Sequence, residues 1–180
     1  MRAAIQGVSF LPMAGFSESD VPRRSGFRTV AHPYTGAKFV AIPALQPDWA
    51  IVHVQEADAE GNARIRGPKY DDVYLARAAR HLLITTERLV DGAAFAGLPE
   101  LTDFPGFLVD AVVVAPRGAW PTSCPHEYPA DEAFFAEYLA AAQTKEGFDR
   151  FLGEHVLTEG PTGVSASHNI RPTHTLPDRP

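Results

Sequence analysis

The chain has 180 residues, of which 45% are apolar and 21% charged, and its formal net charge is −6 at pH 7. This composition is sufficient for one globular domain with a sizeable hydrophobic core. The basic residues form no block longer than Arg23 and Arg24, which excludes nucleic acids and anionic membranes as partners. No apolar run is long enough to span a bilayer, and the single cysteine, Cys124, excludes an internal disulfide. We therefore predict a cytoplasmic protein.

Glycine and proline punctuate the first 36 residues. They recur from Gly7 to Gly36 too often for long helices or strands. The sequence predicts an irregular N-terminal segment that leads through a turn at 33–36 into a short strand over 38–42.

The middle of the chain has the pattern strand, helix, strand. An apolar, β-branched segment predicts the central strand over 51–54, followed by a helix over 71–80 and a second strand over 81–86. The second strand is apolar on both faces, which is typical of a parallel sheet covered by helices on each side. Residues 87–90 are predicted as a connection and 91–106 as loop-rich. The fold class is therefore α/β, a mostly parallel sheet with helices on both faces.

The C-terminal half adds one strand and two helices. A valine-rich run predicts a third strand over 107–115, and an amphipathic pattern predicts a helix over 131–142. The apolar face predicted for this helix consists of Phe134, Phe135, Tyr138, Leu139 and Ala142. Thr144 is predicted to cap a last helix. We predict one domain over 1–157 and a disordered tail, rich in proline, threonine, serine and glycine, over 158–180.

The central strand becomes polar where it ends. Gln55, Glu56, Asp58 and Glu60 precede a turn at Gly61 and Asn62. In an open α/β sheet such a turn faces the crevice in which ligands bind. The acidic residues form either an acid–base or metal cluster or a solvent-exposed turn, and the second interpretation is favoured. Asp58 is the best functional candidate, and it can equally cap the turn.

Other reactive side chains have structural interpretations. His53 and Gln55 share one face of the strand and can bind substrate if that face meets the crevice, although a core histidine bonded to backbone is favoured. Glu87 is interpreted as a structural acid at a helix start. Cys124 and His126 have no visible activating group, so a Cys–His nucleophile is not predicted. No metal site is predicted, and the sequence has no phosphate-binding glycine motif.

An ordered set of short motifs points to a family. These are GVSFLP at 7–12, HVQEAD at 53–58 with GN at 61–62 and Gly67, AA at 78–79 with ITTE at 84–87, PGF at 105–107 with a valine-rich run at 109–114, and APRGA at 115–119 with Pro121, Tyr128 and Asp131. With these motifs the chain resembles the α, or A-type, subunit of class I coenzyme A transferases of the glutaconate CoA-transferase type. The ring-opening hydrolases of steroid breakdown are similar to the same family.

This resemblance implies a fold of the NagB/RpiA/CoA-transferase kind and a hetero-oligomer with a β-type subunit. The partner would supply the catalytic glutamate, so no catalytic residue is assigned here. Coenzyme A enters as a thioester substrate, with a carboxylic acid as acceptor, and no bound cofactor is expected. The implied substrate- or CoA-binding residues are His53, Gln55, Asp58, Asn62 and Arg117. Arg117 would approach the partner or a CoA phosphate, whereas an ordinary surface arginine is the competing interpretation.

The resemblance leaves two alternatives open. The chain can be a subunit of a hydrolase that opens a cyclic CoA-thioester ring, or a non-catalytic remnant that binds only a partner chain or CoA. The family's first strand and glycine-rich loop are expected to lie upstream of the first residue, so the N-terminal part is expected to be missing.

Overall fold

The computed structural model describes residues 1–15 and 18–157 and the short strand at 171–172. The strands are β1 (Phe10–Met13), β2 (Arg28–Ala31), β3 (Lys38–Pro43), β4 (Trp49–Ala57), β5 (Ala63–Arg64), β6 (His81–Leu89), β7 (Ala111–Val114) and β8 (Arg171–Pro172). The α-helices are α1 (Arg2–Ile5), α2 (Val21–Arg24), α3 (Asp72–Ala78), α4 (Ala93–Ala96), α5 (Glu132–Ala141) and α6 (Lys145–His155). Short 3-10 turns span Pro99–Leu101 and Gly106–Leu108. None of the helices in the described residues is long and apolar enough to cross a membrane.

The main sheet has five strands in the order β5-β4-β6-β7-β8. Strands β4, β6 and β7 are parallel, whereas β5 and β8 pair antiparallel at the two edges. The chain between β4 and β6 contains β5 and α3, because parallel neighbours need a crossover connection. This arrangement confirms the predicted α/β fold with a mostly parallel sheet.

The hydrophobic core lies on one face of this sheet. Val52, Ile84 and Val112 are at most 4% exposed, and the parallel register places them side by side. The opposite face is more open, since Leu83 is half-buried and Ile51 is 64% exposed. Within the described residues, β6 is therefore fully buried on one face only.

A second, antiparallel sheet is built from the N-terminal residues, in the order β1-β3-β2. Its middle strand is the predicted one, observed over Lys38–Pro43. The described part of 1–36 has no long helix or strand, as predicted, but it is not irregular, because β1, β2, α1 and α2 lie there. Each of these elements has four residues and most of their side chains are exposed, so they leave no apolar alternation in the sequence. Pro12 is compatible with β1 because β1 is an edge strand.

Strands β4 and β6 are longer than predicted. β4 includes Glu56, which lies opposite Arg64 of β5. β6 includes Glu87, so the interpretation of Glu87 as a helix-start acid is wrong. β7 is shorter than the predicted 107–115, and Phe107 is instead 70% exposed in a 3-10 turn. Strands β4 and β6 continue through polar residues because the side chains of those residues pair with neighbouring strands. A pattern of apolar residues does not reveal such pairs.

Helices α5 and α6 form a hairpin with side-chain caps at both N-termini. Asp131 Oδ1 accepts a hydrogen bond from Phe134 N at 3.0 Å. Thr144 Oγ1 accepts one from Gly147 N at 3.0 Å, which confirms the predicted cap. The hairpin has an aromatic centre, in which Phe151 is 6% exposed and its ring centroid lies 5.3 Å from that of Phe134.

Three further predictions differ from the structure or lie outside it. Leu139 is 60% exposed and does not belong to the inner face of α5. Helix α3 is shorter than 71–80, since it spans Asp72–Ala78. The predicted disordered tail over 158–180 lies outside the described residues, apart from β8, which pairs with β7.

Replacing Phe151 by alanine should destabilise the protein by about 3–5 kcal/mol, the usual cost of removing a buried ring. The Phe151 ring contacts Phe134, Tyr138 and His155, and alanine would leave a cavity among them. Denaturant unfolding followed by circular dichroism measures the loss. Leu139→Ala is the matched control, because this exposed side chain should change stability by less than about 0.5 kcal/mol. Equal losses in the two variants would contradict a stabilising role for the aromatic centre.

Candidate functional site

His53 lies near the carboxyl end of β4 and is held by side chains of β6. The parallel register places it beside Thr85, whose Oγ1 is 2.9 Å from His53 Nδ1. His53 Nε2 is 2.8 Å from Oε1 of Glu87, two residues further along β6. Both ring nitrogens are therefore engaged by side chains, so the expectation of a histidine bonded to backbone is wrong.

The Glu87 carboxylate accepts hydrogen bonds from three directions. Besides His53, Tyr128 Oη–H donates to Oε1 at 2.8 Å and Arg117 N–H donates to Oε2 at 2.8 Å. Burial alone would raise the pKa of Glu87, but the hydrogen bonds from Arg117 N, His53 and Tyr128 outweigh it and lower the pKa. Burial and the bond to Glu87 raise the pKa of Tyr128 to about 12. The pair is thus an ionised carboxylate beside a neutral phenol.

The loop after β7 lies directly over this carboxylate. Arg117 has a positive φ of 59°, and its guanidinium carbon lies 5.0 Å from the Tyr128 ring centroid. Ala119 N donates to Tyr128 Oη at 3.0 Å. Gly118 packs against the imidazole, because a Cβ at this position would lie 2.9 Å from His53 Cε1. Glycine is therefore required here for space.

A cavity of about 260 Å³ opens beside His53. Its walls include His53 and Gln55 from β4 and Cys124 and Pro125 from the loop. Gln55 is 2% exposed and its amide is fully used: Nε2 donates to the carbonyl oxygens of Arg66 and Pro125, and Oε1 accepts from Arg66 N. Gln55 thus fixes two walls of the cavity relative to each other.

Cys124 closes one side of this cavity. It is 4% exposed, and its backbone N–H and C=O both bond to Tyr128. Burial, followed by the negative charges of Glu87 and Glu127, raises the pKa of the thiol to about 11. Its Sγ lies within 4.8 Å of a ring nitrogen of His53 and a carboxylate oxygen of Glu87. Cys124 is therefore a neutral thiol near His53.

Glu56 is the second buried carboxylate at this end of the sheet. It pairs with Arg64, Arg66 and Arg88 at 3.3, 2.7 and 3.0 Å, and Arg88 also pairs with Glu127 at 2.6 Å. Burial would raise the pKa of Glu56, but the hydrogen bonds and charges of Arg88 and Arg66 lower it. This cluster joins β4, β5 and β6 to the loop and leaves Glu56 no free role as an acid or base.

Asp58 and Asn62 form a turn away from the cavity. Asp58 is 1% exposed; its Oδ1 accepts from the backbone N–H groups of Glu60 and Asn62, and its Oδ2 accepts from Asn62 Nδ2. Asn62 Oδ1 accepts from Gly106 N at 3.0 Å. These bonds fit the turn-capping interpretation of Asp58, and neither residue lines the cavity.

The structure therefore brings together three of the five predicted site residues. His53 and Gln55 line the cavity, and Arg117 N donates to Glu87, the partner of His53, whereas Asp58 and Asn62 belong to neither group. Glu87, the centre of the network, was missed as a site residue. A signal for it existed, because Thr85 and Glu87 are two residues apart and share the strand face that β6 presents beside His53.

Replacing Glu87 by glutamine should destabilise the protein at pH 7 by roughly 1–3 kcal/mol, because charge-assisted hydrogen bonds become neutral ones. The folded pKa of Glu87 is lowered, so its contribution is fully present above the ordinary value of 4.5 and is lost as the pH falls through the folded pKa. Urea unfolding from pH 7 to pH 3 should show the difference between wild type and Glu87→Gln narrowing below pH 4.5. Glu60→Gln, at an exposed position, is the control. A pH-independent difference would contradict the assignment.

The sequence and fold match known proteins over most of the chain. The family model described as coenzyme A transferase matches residues 6–115. The A-type subunit of glutaconate CoA-transferase from Acidaminococcus fermentans is 40% identical over 173 residues, covering 87% of this chain and 54% of that protein. The cholesterol ring-cleaving hydrolase IpdA subunit from Mycobacterium tuberculosis is 32% identical over 184 residues, covering 94% and 62%.

A solved structure gives the same result. The crystal structure of glutaconate coenzyme A-transferase from Acidaminococcus fermentans superimposes with a TM-score of 0.79 at 35% identity, over 86% of this chain and 54% of that one. The chain thus spans about half the length of the curated relatives it matches. The family match covers more than half of the chain and agrees with both sequence and structure. The protein belongs to the coenzyme A transferase family.

Proposed function

We propose that this chain acts as the α-type subunit of a CoA-transferase, in a hetero-oligomer with a β-type partner in the cytoplasm. The reaction moves coenzyme A between an acyl-CoA and a carboxylic acid. A glutamate of the partner attacks the thioester carbonyl, and the carbon–sulfur bond breaks to release CoA thiolate. The thiolate then attacks the glutamyl carbonyl, which releases the acyl carboxylate and leaves a glutamyl-CoA thioester. The same steps in reverse, with the acceptor carboxylate, form the new acyl-CoA and free the glutamate. The 40% identity to the A-type subunit of glutaconate CoA-transferase supports this proposal.

The hydrogen bonds and ion pairs of the buried carboxylates support the assignment of the nucleophile to a partner. Glu56, Asp58 and Glu87 each accept two or more hydrogen bonds or ion pairs, and the pKa values of Glu56 and Glu87 are lowered. A carboxylate held by several donors is a weak nucleophile, because attack on a thioester costs those bonds. These three side chains are therefore better suited to holding the site than to forming an acyl intermediate.

In this proposal the chain supplies the shape and charge of the binding site. His53 and Gln55 form the wall against which the acyl group lies. Arg117 is exposed and lines an open cavity of about 500 Å³, where its guanidinium is available to a CoA phosphate or a carboxylate. Asp58 and Asn62 contribute indirectly, by holding the turn against Gly106.

A hydrolase is the second candidate. The relative named as a cholesterol ring-cleaving hydrolase matches 94% of this chain. In that case water would attack a ring carbonyl of a CoA-thioester substrate, and the adjacent carbon–carbon bond would break to give a carboxylic acid and a protonated carbon. Product would then form without an acceptor acid. The two reactions differ in this requirement, which makes them separable in one assay.

The test is mass spectrometry of the chain purified with a co-expressed β-type partner and incubated, separately, with short acyl-CoA thioesters and with a CoA thioester whose acyl group contains a ring ketone. We expect a CoA adduct on a glutamate of the partner and acyl exchange that requires a carboxylic acid. The partner incubated alone is the control. An intact complex that forms product without an acceptor would support the hydrolase. An intact complex with neither adduct nor product would contradict both enzyme assignments.

Replacing Arg117 by alanine in that complex should raise the KM for acyl-CoA about tenfold or more, because a hydrogen bond to a charged group contributes roughly 1.5–3 kcal/mol. Arg117→Lys should recover part of the loss. The assay is steady-state transfer at varied acyl-CoA concentration. Arg77→Ala, at an exposed position on α3, is the matched control and should change the KM little. A KM that Arg117→Ala leaves unchanged would remove Arg117 from the binding site.

A further inference from the structure

Three side chains with different donor atoms meet beside the cavity. A ring nitrogen of His53, a carboxylate oxygen of Glu87 and Sγ of Cys124 all lie within 4.8 Å of one another. They come from β4, from β6 and from the loop after β7. No metal site is predicted from the sequence, in which Cys124 stands beside His126 and far from His53.

We propose that His53, Glu87 and Cys124 form a binding site for a divalent transition-metal ion of the Zn²⁺ class. Imidazole nitrogen, carboxylate oxygen and thiolate sulfur are the three donor types that Zn²⁺ takes, whereas Mg²⁺ and Ca²⁺ prefer oxygen ligands. The proposal concerns ion binding alone and does not depend on whether the chain takes part in CoA transfer.

The groups around the three ligands have the arrangement that metal sites use. Metal-bound histidines usually donate their second ring N–H to an acceptor, which orients the ring. Thr85 Oγ1, 2.9 Å from His53 Nδ1, can accept that N–H and leave Nε2 for the ion. The Glu87 carboxylate is oriented by Tyr128 Oη and by Arg117 N. Cys124 is held by its paired backbone bonds to Tyr128.

The local charge favours a cation. The Glu87 carboxylate brings a negative charge to the three ligands, and a divalent ion bound there would stabilise both that charge and the Cys124 thiolate that forms when the thiol proton is lost. Binding would release that proton to solvent and replace the hydrogen bond between His53 Nε2 and Glu87 Oε1.

The site would have an open coordination position. His53 and Cys124 both line the cavity of about 260 Å³, which has room for a water molecule or a substrate group as fourth ligand. Three protein ligands with one exchangeable position are typical of open zinc sites, whereas structural zinc sites use four protein ligands.

The experiment is a titration of the full, untagged chain with Co²⁺ and with Zn²⁺. Co²⁺ reports its ligands spectroscopically, and we expect one equivalent to give a thiolate-to-cobalt charge-transfer band that one equivalent of Zn²⁺ removes. Cys124→Ser should abolish the band. Thr85→Val, which removes only the acceptor behind His53, should weaken Zn²⁺ binding about 10–100-fold, the usual effect of losing an outer-shell partner.

The matched control is the other candidate cluster in the described residues, Glu137, Glu154 and His155 on the α5–α6 hairpin. His155→Asn should leave the cobalt band and the Zn²⁺ affinity unchanged. Absence of the band in a wild-type chain shown to be folded by circular dichroism would overturn the proposal. Zn²⁺ binding that survives Cys124→Ser and is lost in His155→Asn would also overturn it, because the ion would then belong to the hairpin.

Discussion

The hydrogen bonds to the Glu87 carboxylate are the interactions that hold the walls of the site together. A buried carboxylate is costly unless donors surround it, and here the donors come from His53 on β4 and from Arg117 and Tyr128 in the loop after β7. Strands β4 and β6 and the loop after β7 are thus joined through the Glu87 carboxylate. Through His53, these bonds reach the wall of the cavity.

Glu56 joins the strands near the sheet edge, just as Glu87 joins the loop after β7 to the sheet. Arg64, Arg66 and Arg88 converge on it from β5, from the residues after β5 and from β6. Each buried charge joins segments that are far apart in the chain, and each leaves the other's partners untouched. The carboxyl ends of β4 and β6 therefore carry polar groups that hold the fold together, and the cavity lies between β4 and the loop that contains Cys124 and Pro125.

The apolar pattern was sufficient to predict the parallel sheet, because burial on a regular period determines its strands. The C-terminal helices were predicted as well, although α5 has no buried residue. It was insufficient for β1 and β2, which have four residues each and stay mostly exposed. For the site, the sequence pointed to the end of β4 but not to Glu87. Its role arises from strand register and from Tyr128, 41 residues away, and neither is visible in a local pattern.

Gly118 lies so close to the hydrogen-bond network that residue 118 has no space for a side chain. A methyl group there would meet His53 Cε1 at 2.9 Å and the carbonyl oxygen of Ala115 at 2.8 Å. A smaller residue in place of His53 would relieve only the first clash, because the second is with the main chain. The loop would have to move away from His53, which would separate Arg117 N and Ala119 N from their acceptors. A substitution at residue 118 would therefore be felt along the whole loop.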